Sequence, residues 1–151
     1  MSTIIFCVAE RAGIRLAVPS DAEEITRFDH VALAASARRE FIHRSVDLGR
    51  CFVAIGDGRV VGYGVLEYTF YENGFLSMLY VAEPFRRRGF GAALMRHIEN
   101  ECRTPKLFTS TNQFNLRMRS LLAKLGFEPS GIIENLDEED PELVFFKRLR
   151  P

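Results

Sequence analysis

The sequence predicts a domain of mixed α and β structure, in which a largely antiparallel sheet carries helices on its faces. The chain has 151 residues, of which 47% are hydrophobic and 26% charged. That length suits one buried core, and that composition excludes a disordered or fibrous protein. Runs of β-branched residues alternate with amphipathic segments, and no linker rich in proline, glycine or serine separates them. We therefore predict a single domain over residues 1–151.

The first elements are a strand and a helical region. Residues 14–18 are β-rich, and Ser20 with Glu23 matches the S-x-x-E capping box that precedes a helix. Residues 22–48 favour helix and are rich in alanine, arginine and glutamate. A break near Asp29 predicts two short helices in this region.

Three strands follow in sequence. Residues 51–55, 60–70 and 75–81 are β-branched and aromatic. They are separated by Gly56-Asp57-Gly58 and by Asn73-Gly74, which are strong hairpin turns. The pattern predicts three consecutive antiparallel strands.

The second half alternates helices and strands. Segment 90–102 has the apolar spacing of a helix with one buried face, residues 106–110 form a strand, and a second amphipathic helix ends at Gly126. Two strands, 127–134 and 143–149, close the chain around a polar loop. The apolar positions are Gly91, Leu94, Met95, Ile98 and Cys102 in the first helix and Met118, Leu121, Leu122 and Leu125 in the second.

Charge and cysteine content exclude several classes of protein. Twenty basic and twenty acidic side chains balance, so we expect no general attraction to nucleic acid or to a membrane. Cys7, Cys51 and Cys102 lack CxxC spacing, which predicts reduced thiols rather than disulfides or a zinc site. The apolar run 4–9 is too short for a secretory signal, and the longest uncharged stretch, 73–82, is far below the roughly 20 residues of a membrane span. We expect a cytoplasmic protein.

The most informative motif is R-x-x-G-x-G at residues 86–91, between a predicted strand and a predicted helix. Gly89 and Gly91 remove side chains where the backbone turns, so the first helical amides can face a phosphate. Three consecutive arginines, 86–88, add charged donors. The pattern predicts a site for a diphosphate, and it differs from both the dinucleotide and the P-loop patterns. The alternative is an ordinary tight turn with solvated arginines.

This motif resembles the signature Q/R-x-x-G-x-G/A of the GNAT-type acyl-CoA N-acyltransferases, and it matches at every fixed position. Downstream, residues 115–127 resemble the family pattern N-x-x-A-x-x-x-Y-x-K-x-G-F, with Lys124, Gly126 and Phe127 in place. The resemblance implies a GNAT-like fold with a mostly antiparallel sheet of six to seven strands, splayed between strands 4 and 5 and flanked by about four helices. It also implies an N-acetyltransferase that takes acetyl-CoA as co-substrate, uses no metal, and moves the acetyl group to a primary amine by direct attack.

The resemblance assigns the cofactor contacts by position. A bulge around residues 79–81 would present backbone groups to the pantetheine arm and the thioester, residues 86–92 would hold the diphosphate, and two asparagines would reach the pantetheine. For those asparagines helix capping is the alternative. The cofactor residues implied are Leu79, Tyr80, Val81, Arg86, Arg87, Arg88, Gly89, Phe90, Gly91, Ala92, Asn112 and Asn115.

Two positions depart from the family pattern. Leu122 stands where the family often has the tyrosine that protonates the leaving thiolate, and Met118 replaces a small residue. The acid is therefore unassigned. Another group or water can serve, or the thiolate can leave unaided, because a thiol with a pKa of about 8.5 is a fair leaving group.

The predicted hairpin supplies a candidate base. If Asn73-Gly74 is a two-residue turn, then Glu72 pairs with Phe75 and Glu67 lies opposite Tyr80. This interpretation makes Glu67 the candidate general base and Tyr80 a candidate acid or substrate contact. Both can equally be ordinary exposed strand residues.

The acceptor is less constrained. His30 and His43 are candidate acceptor contacts, and with His97 they lack metal-ligand spacing. Acidic side chains crowd the loop between the last two strands and favour a cationic small-molecule or peptide amine, although solvated hairpin residues are the alternative. They are Glu134, Asp137, Glu138, Glu139, Asp140 and Glu142.

Two functions other than catalysis are alternatives for this sequence. Leu122 favours a catalytically silent sensor that binds acyl-CoA. An RNA-binding domain that uses Arg86 to Arg88 is disfavoured by the neutral charge. Relatives are often dimers, so the final strands can pair in a homodimer as an alternative to a monomer.

Overall fold

The computed structural model describes residues 13–151. The predictions for residues 4–9 and for Cys7 lie outside this range. Within these residues seven strands and five α-helices follow the predicted order, with one helix more than predicted in the early helical region. The strands are β1 (Gly13–Leu16), β2 (Cys51–Gly56), β3 (Arg59–Phe70), β4 (Asn73–Val81), β5 (Lys106–Asn112), β6 (Glu128–Ile133) and β7 (Glu142–Arg148). The helices are α1 (Asp21–Phe28), α2 (His30–Ala34), α3 (Ser36–Asp47), α4 (Phe90–Glu101) and α5 (Leu116–Lys124).

All seven strands form one sheet in the order β1-β2-β3-β4-β5-β7-β6. Every pair is antiparallel except β4 with β5, which run parallel. This arrangement confirms the predicted mixed fold with a mostly antiparallel sheet. Across the described part of the chain, no helix is long and apolar enough to span a membrane.

Each face of the sheet packs against its own group of helices. Because successive side chains of a strand point to opposite faces, β2 sends Cys51 and Val53 into one core and Phe52 and Ala54 into the other. The first core contains residues of α1 to α3, and the second contains residues of α4 and α5. The largest buried helical side chains are Ile25 and Ile42 in the first core and Leu94, Met95, Ile98 and Leu122 in the second.

The early helical region differs from the prediction in two respects. It forms three helices rather than two, because a second break falls at Ala35, where the backbone is extended. The capping box is also not formed: among the described residues, Ser20 makes no capping hydrogen bond. The Asp21 carboxylate instead accepts from the Val18 N–H at 2.7 Å.

The β3–β4 turn lies two residues before the predicted Asn73-Gly74 turn. Tyr71 and Glu72 form it with φ values of 50° and 64°, and Phe70 pairs with Asn73. Gly74 is a buried strand residue whose added Cβ would collide with the Cys102 sulfur. The glycine is therefore required by close packing rather than by a turn.

Candidate functional site

A gap in the sheet lies between β4 and β5. The two strands pair only over Gly74–Leu76 and residues 107–109, and the Thr109 hydroxyl donates to the Leu76 carbonyl at 2.9 Å. Beyond that pair, no strand of residues 13–151 covers the β5-facing edge of β4 from Ser77 to Val81. The predicted splay between the fourth and fifth strands is confirmed.

Backbone groups of Leu79 and Val81 face this gap. Alternate residues of an antiparallel strand point their N–H and C=O groups to opposite edges. The Ala82 N–H donates to the Val61 carbonyl of β3 at 2.8 Å. The backbone N–H and C=O of Tyr80, two residues earlier, therefore also point to β3. Those of Leu79 and Val81 point away from β3, toward the gap. The open edge thus carries the backbone N–H and C=O groups of these two residues.

The β-bulge of β4 lies closer than predicted to the base of the gap, which is the point where pairing of β4 with β5 ends after Leu76. Val65 pairs with Met78 and Leu66 with Leu76, so Ser77 is the extra residue on β4. The prediction of a bulge around residues 79–81 is therefore wrong. Since a bulge increases the local twist of a strand, its position at Ser77 coincides with the point where β4 leaves β5.

A loop connects the end of β4 to α4. A 3₁₀ turn over Glu83–Phe85 is followed by Arg87, with a φ of 63°, and by Gly89, with a φ of 87°. Space around Gly89 is open, since an added Cβ would meet no described atom within 4 Å. The Ala93 N–H donates to the Gly89 carbonyl at 3.0 Å. This first helical bond leaves the amides of residues 90–92 pointing out of the helix start, where they can bind an anion.

The three arginines of the loop have different surroundings. Arg86 folds back: its Nε donates to the Val81 carbonyl at 2.8 Å, and its guanidinium lies 5.2 Å from the centroid of the Tyr80 ring. Arg88 lies over Phe85 at 5.1 Å, and its side chain is about half exposed. Arg87 is exposed. Arg87 and Arg88 are therefore open to solvent, while the Arg86 side chain holds the edge of β4.

The two asparagines occupy different elements. Asn115 caps α5, because its Oδ1 accepts from the Met118 N–H at 3.2 Å. Asn112 is the last residue of β5, and its amide donates to the Asp137 carboxylate at 2.8 Å. Capping, the predicted alternative, therefore describes Asn115. Asn112 instead joins the end of β5 to the acidic loop.

The predicted pairing of Glu67 with Tyr80 is wrong. Glu67 pairs with Phe75, and Tyr80 pairs with Tyr63 four residues away along β3. At about 3.3 Å per residue the two positions are about 13 Å apart along the strand. The cause is the shifted turn, which changes the register of the hairpin. Glu67 remains near the base of the gap, where Arg50 lies 3.4 Å from its carboxylate.

A buried polar cluster beside Tyr80 was not predicted. The Asp29 carboxylate, fully buried, accepts from Tyr63 Oη at 2.5 Å, from Arg38 Nε at 2.9 Å and from two amides at the start of α2. Burial disfavours its ionised form, but the hydrogen bonds outweigh burial and lower the pKa of Asp29. Burial, with the bond to this carboxylate, raises the pKa of Tyr63. An aspartate directly before a helical segment is the feature that could have revealed this cap.

Leu122 lies in the core. It is fully buried against residues of α4 and β5, while Met118 is partly buried beside the same core. Leu122 therefore contributes packing and cannot supply a proton to the gap. The two described cysteines are free and buried, and burial raises the pKa of Cys51 to about 12. Among residues 13–151 no group of histidine, cysteine and acidic side chains could hold a metal.

The acidic loop lies between β6 and β7 at the end of β5. Asp137 accepts from Asn112, and the Asp140 carboxylate accepts from the Phe114 N–H at 3.1 Å. A shallow cavity of about 430 Å³ is lined by Glu134, Asn135, Asp137, Glu138, Glu139, Asp140 and Pro141. These two contacts place the loop beside the end of β5, at Asn112.

Similarity to known proteins was found at two levels. A sequence model described as the acetyltransferase (GNAT) family matches residues 19–127. Among curated proteins no significant match is found.

Solved structures resemble the whole fold. A GNAT family acetyltransferase from Bacillus cereus is 34% identical, covering 91% of this chain and 96% of its own, with a TM-score of 0.86. Ard1 from Thermoplasma volcanium is 23% identical over 91% of this chain and 97% of its own, with a TM-score of 0.77. The structure of yncA from Salmonella typhimurium with its cofactor acetyl-CoA is 17% identical, covering 92% and 94%, with a TM-score of 0.73. The last two establish similarity of fold alone.

Proposed function

The chain belongs to the acetyltransferase (GNAT) family, and we propose that it transfers an acetyl group from acetyl-CoA to a primary amine. We assign this activity to one domain over residues 1–151. The observation that carries the proposal is the combination of an uncovered β4 edge at Leu79 and Val81 with the open loop at Gly89. The first suits an extended amide-containing arm, and the second suits a diphosphate.

The diphosphate site is proposed from the chemistry of the loop. Outward-pointing amides of residues 90–92 and the positive end of the α4 dipole favour an anion. Arg87 and Arg88 add charge-assisted hydrogen bonds. The space beside Gly89 has no side chain to exclude the ligand. A structure of yncA that contains acetyl-CoA has the same fold, which supports this assignment.

The transfer step requires few groups from the protein. Acetyl-CoA, when bound, supplies the thioester whose carbonyl carbon the amine attacks, and the thiolate leaves. The backbone amides of Leu79 and Val81 face the gap and are the proposed donors to the negative charge that develops on the carbonyl oxygen. Glu67 is the proposed base, and because it lies about 10 Å along β3 from Gly64, the partner of Leu79, it would remove the amine proton through a chain of water molecules.

The proton for the leaving thiolate has no assigned donor. Leu122 is buried and apolar. With an ordinary thiol pKa of about 8.5, the thiolate can leave near neutral pH without a side-chain acid, and water can protonate it afterwards.

The proposed acceptor is a cationic amine, either a small molecule or a peptide. The carboxylates of the loop between β6 and β7 support this choice, because their negative potential attracts a cation to the end of β5.

A second candidate function is a sensor that binds acyl-CoA without turnover. The observation that favours it is the burial of Leu122 at the position where related sequences carry a tyrosine acid. The transferase and the sensor share the proposed acyl-CoA site, and they differ in whether the acetyl group is transferred to an amine.

The test combines binding and turnover. Calorimetric titration with CoA and acetyl-CoA measures the site, and a mixed amine panel read by mass shift and thiol release measures transfer. Binding with a mass increase of one acetyl group supports the transferase. Binding without transfer to any amine supports the sensor, and no binding of either ligand overturns both.

A further inference from the structure

Tyr80 contacts both the helical layer formed by α1 and α2 and the loop that precedes α4. It lies near the end of β4, seven residues before Arg87 and beside the gap. Its ring stacks on Phe28 of α1, with centroids 6.2 Å apart, and the Arg86 guanidinium lies 5.2 Å from its centroid. The ring thus contacts both the helical layer and the loop that precedes α4.

The hydroxyl of Tyr80 extends this connection to α2. It accepts a hydrogen bond of 3.2 Å from the backbone N–H of His30, the first residue of α2. The preceding residue, Asp29, is fixed by Tyr63 and Arg38 and caps the same helix. The start of α2 is therefore held on one side by a buried carboxylate and on the other by the Tyr80 hydroxyl.

Arg86 completes the chain of contacts toward the gap. Its Nε donates to the Val81 carbonyl, which faces the open edge of β4. A ligand that orders residues 86–92 and lies along this edge would therefore also fix the guanidinium over Tyr80. Because α2 has only five residues, its stability depends on contacts at its start rather than on its own hydrogen bonds.

We propose that Tyr80 is a positioning residue: through Arg86 on its ring and His30 on its hydroxyl, it transmits the ordering of the CoA site to the start of α2. This inference rests on the proposed function. Binding of CoA then slows the opening of α2, so that the helical layer beside the gap is ordered before an amine arrives.

Hydrogen exchange tests the proposal without an identified amine. Amide exchange over residues 29–35 is measured with and without saturating CoA in the wild type and in Tyr80→Phe, which keeps the ring and removes the hydroxyl. We expect CoA to slow exchange in this segment about fivefold or more in the wild type. In Tyr80→Phe we expect CoA to bind but to leave the segment unchanged.

Tyr68 provides a matched control. Its hydroxyl accepts from the Arg103 N–H at 3.1 Å, and the Arg103 guanidinium lies 4.4 Å from its ring centroid. Tyr68→Phe therefore removes a similar hydrogen bond from a tyrosine ring that also stacks on an arginine, Arg103, which follows α4. In this variant CoA should still slow the exchange of residues 29–35.

The outcomes separate this inference from the proposed function. If CoA binds but exchange of residues 29–35 does not change, or changes equally in Tyr80→Phe, the positioning role is overturned and the proposed function stands. If calorimetry shows that CoA does not bind, both fall. A purely structural Tyr80 would alter exchange of the free protein and leave the CoA-dependent difference intact.

Discussion

The hydroxyl of Tyr63 donates a 2.5 Å hydrogen bond to the carboxylate of Asp29, and both side chains are fully buried. This contact joins β3 to the junction of α1 and α2. Arg38 of α3 donates to the same carboxylate at 2.9 Å. One buried charge therefore holds three helices and a strand together.

Asp29→Asn tests the contribution of this charge to stability. We expect a loss of about 3 kcal/mol in the free energy of unfolding, because breaking a buried pair leaves Arg38 without its partner. Urea denaturation of the variant measures the loss. Asp47→Asn, an exposed aspartate on α3, is the control and should change stability by less than about 0.5 kcal/mol.

The difference in unfolding free energy between the wild type and Asp29→Asn has a predicted pH dependence. The folded pKa of Asp29 lies below its ordinary value, so its contribution is fully present above the unfolded pKa of about 3.9. It is lost as pH falls through the folded pKa. We expect the stability of the wild type to fall in this acid range more steeply than that of Asp29→Asn. Parallel curves would show that the carboxylate is not preferentially ionised in the folded state.

The loop before α4 is the part of the site that the sequence predicts best. Gly89 is required at a positive φ, and the spacing of Leu94, Met95 and Ile98 gives the buried face of the helix that follows. Both properties are local: they depend on neighbouring residues and on the period of a helix. The helix accordingly begins at Phe90, as predicted.

The hairpin of β3 and β4 could not be predicted in the same way. Two adjacent dipeptides, Tyr71-Glu72 and Asn73-Gly74, compete for one turn, and local turn preference favours the second. Long-range packing decides otherwise, because Gly74 is needed where Cys102 approaches β4. A shift of the turn changes every pair in the hairpin, and for that reason the partner of Glu67 was predicted wrongly. The buried cluster at Asp29 is also long-range, since Tyr63 lies 34 residues away.

Gly89→Val tests the diphosphate site. A β-branched side chain is strained at a φ of 87° and would fill the space beside the loop. We expect CoA affinity to fall by about tenfold or more, equivalent to the loss of at least one charge-assisted hydrogen bond. Calorimetric titration measures the change.

Gly49→Val is the matched control for backbone strain. Gly49 has a φ of 69°, with open space around it, and follows α3 away from the loop. Both variants should lose about 1–2 kcal/mol of stability, but only Gly89→Val should lose affinity. Equal affinities in the two variants would remove this loop from the cofactor site.

Glu67→Gln tests the proposed base. At mildly acidic pH almost all of the amine is protonated and needs a base, whereas the neutral fraction that can attack unaided rises as the pH approaches the amine's own pKa. We therefore expect kcat/KM to fall about 100-fold or more near pH 6 and much less near pH 9. Glu72→Gln, in the exposed turn of the same hairpin, is the control. A ratio of wild type to Glu67→Gln that is constant across pH would eliminate this carboxylate as the base.

Leu122→Tyr tests whether the missing family tyrosine could act from this position. Leu122 is fully buried in the core with Leu94 and Ile98. A larger side chain costs about 1–3 kcal/mol by overpacking, and a hydroxyl without a partner there costs a similar amount. We therefore expect Tm to fall by several degrees and turnover not to rise. Leu122→Met, which conserves volume, should cost less than about 1.5 kcal/mol. A tyrosine variant with the wild-type Tm and faster turnover would show that this side chain can reach the gap, and that the core at α5 leaves room for an acid.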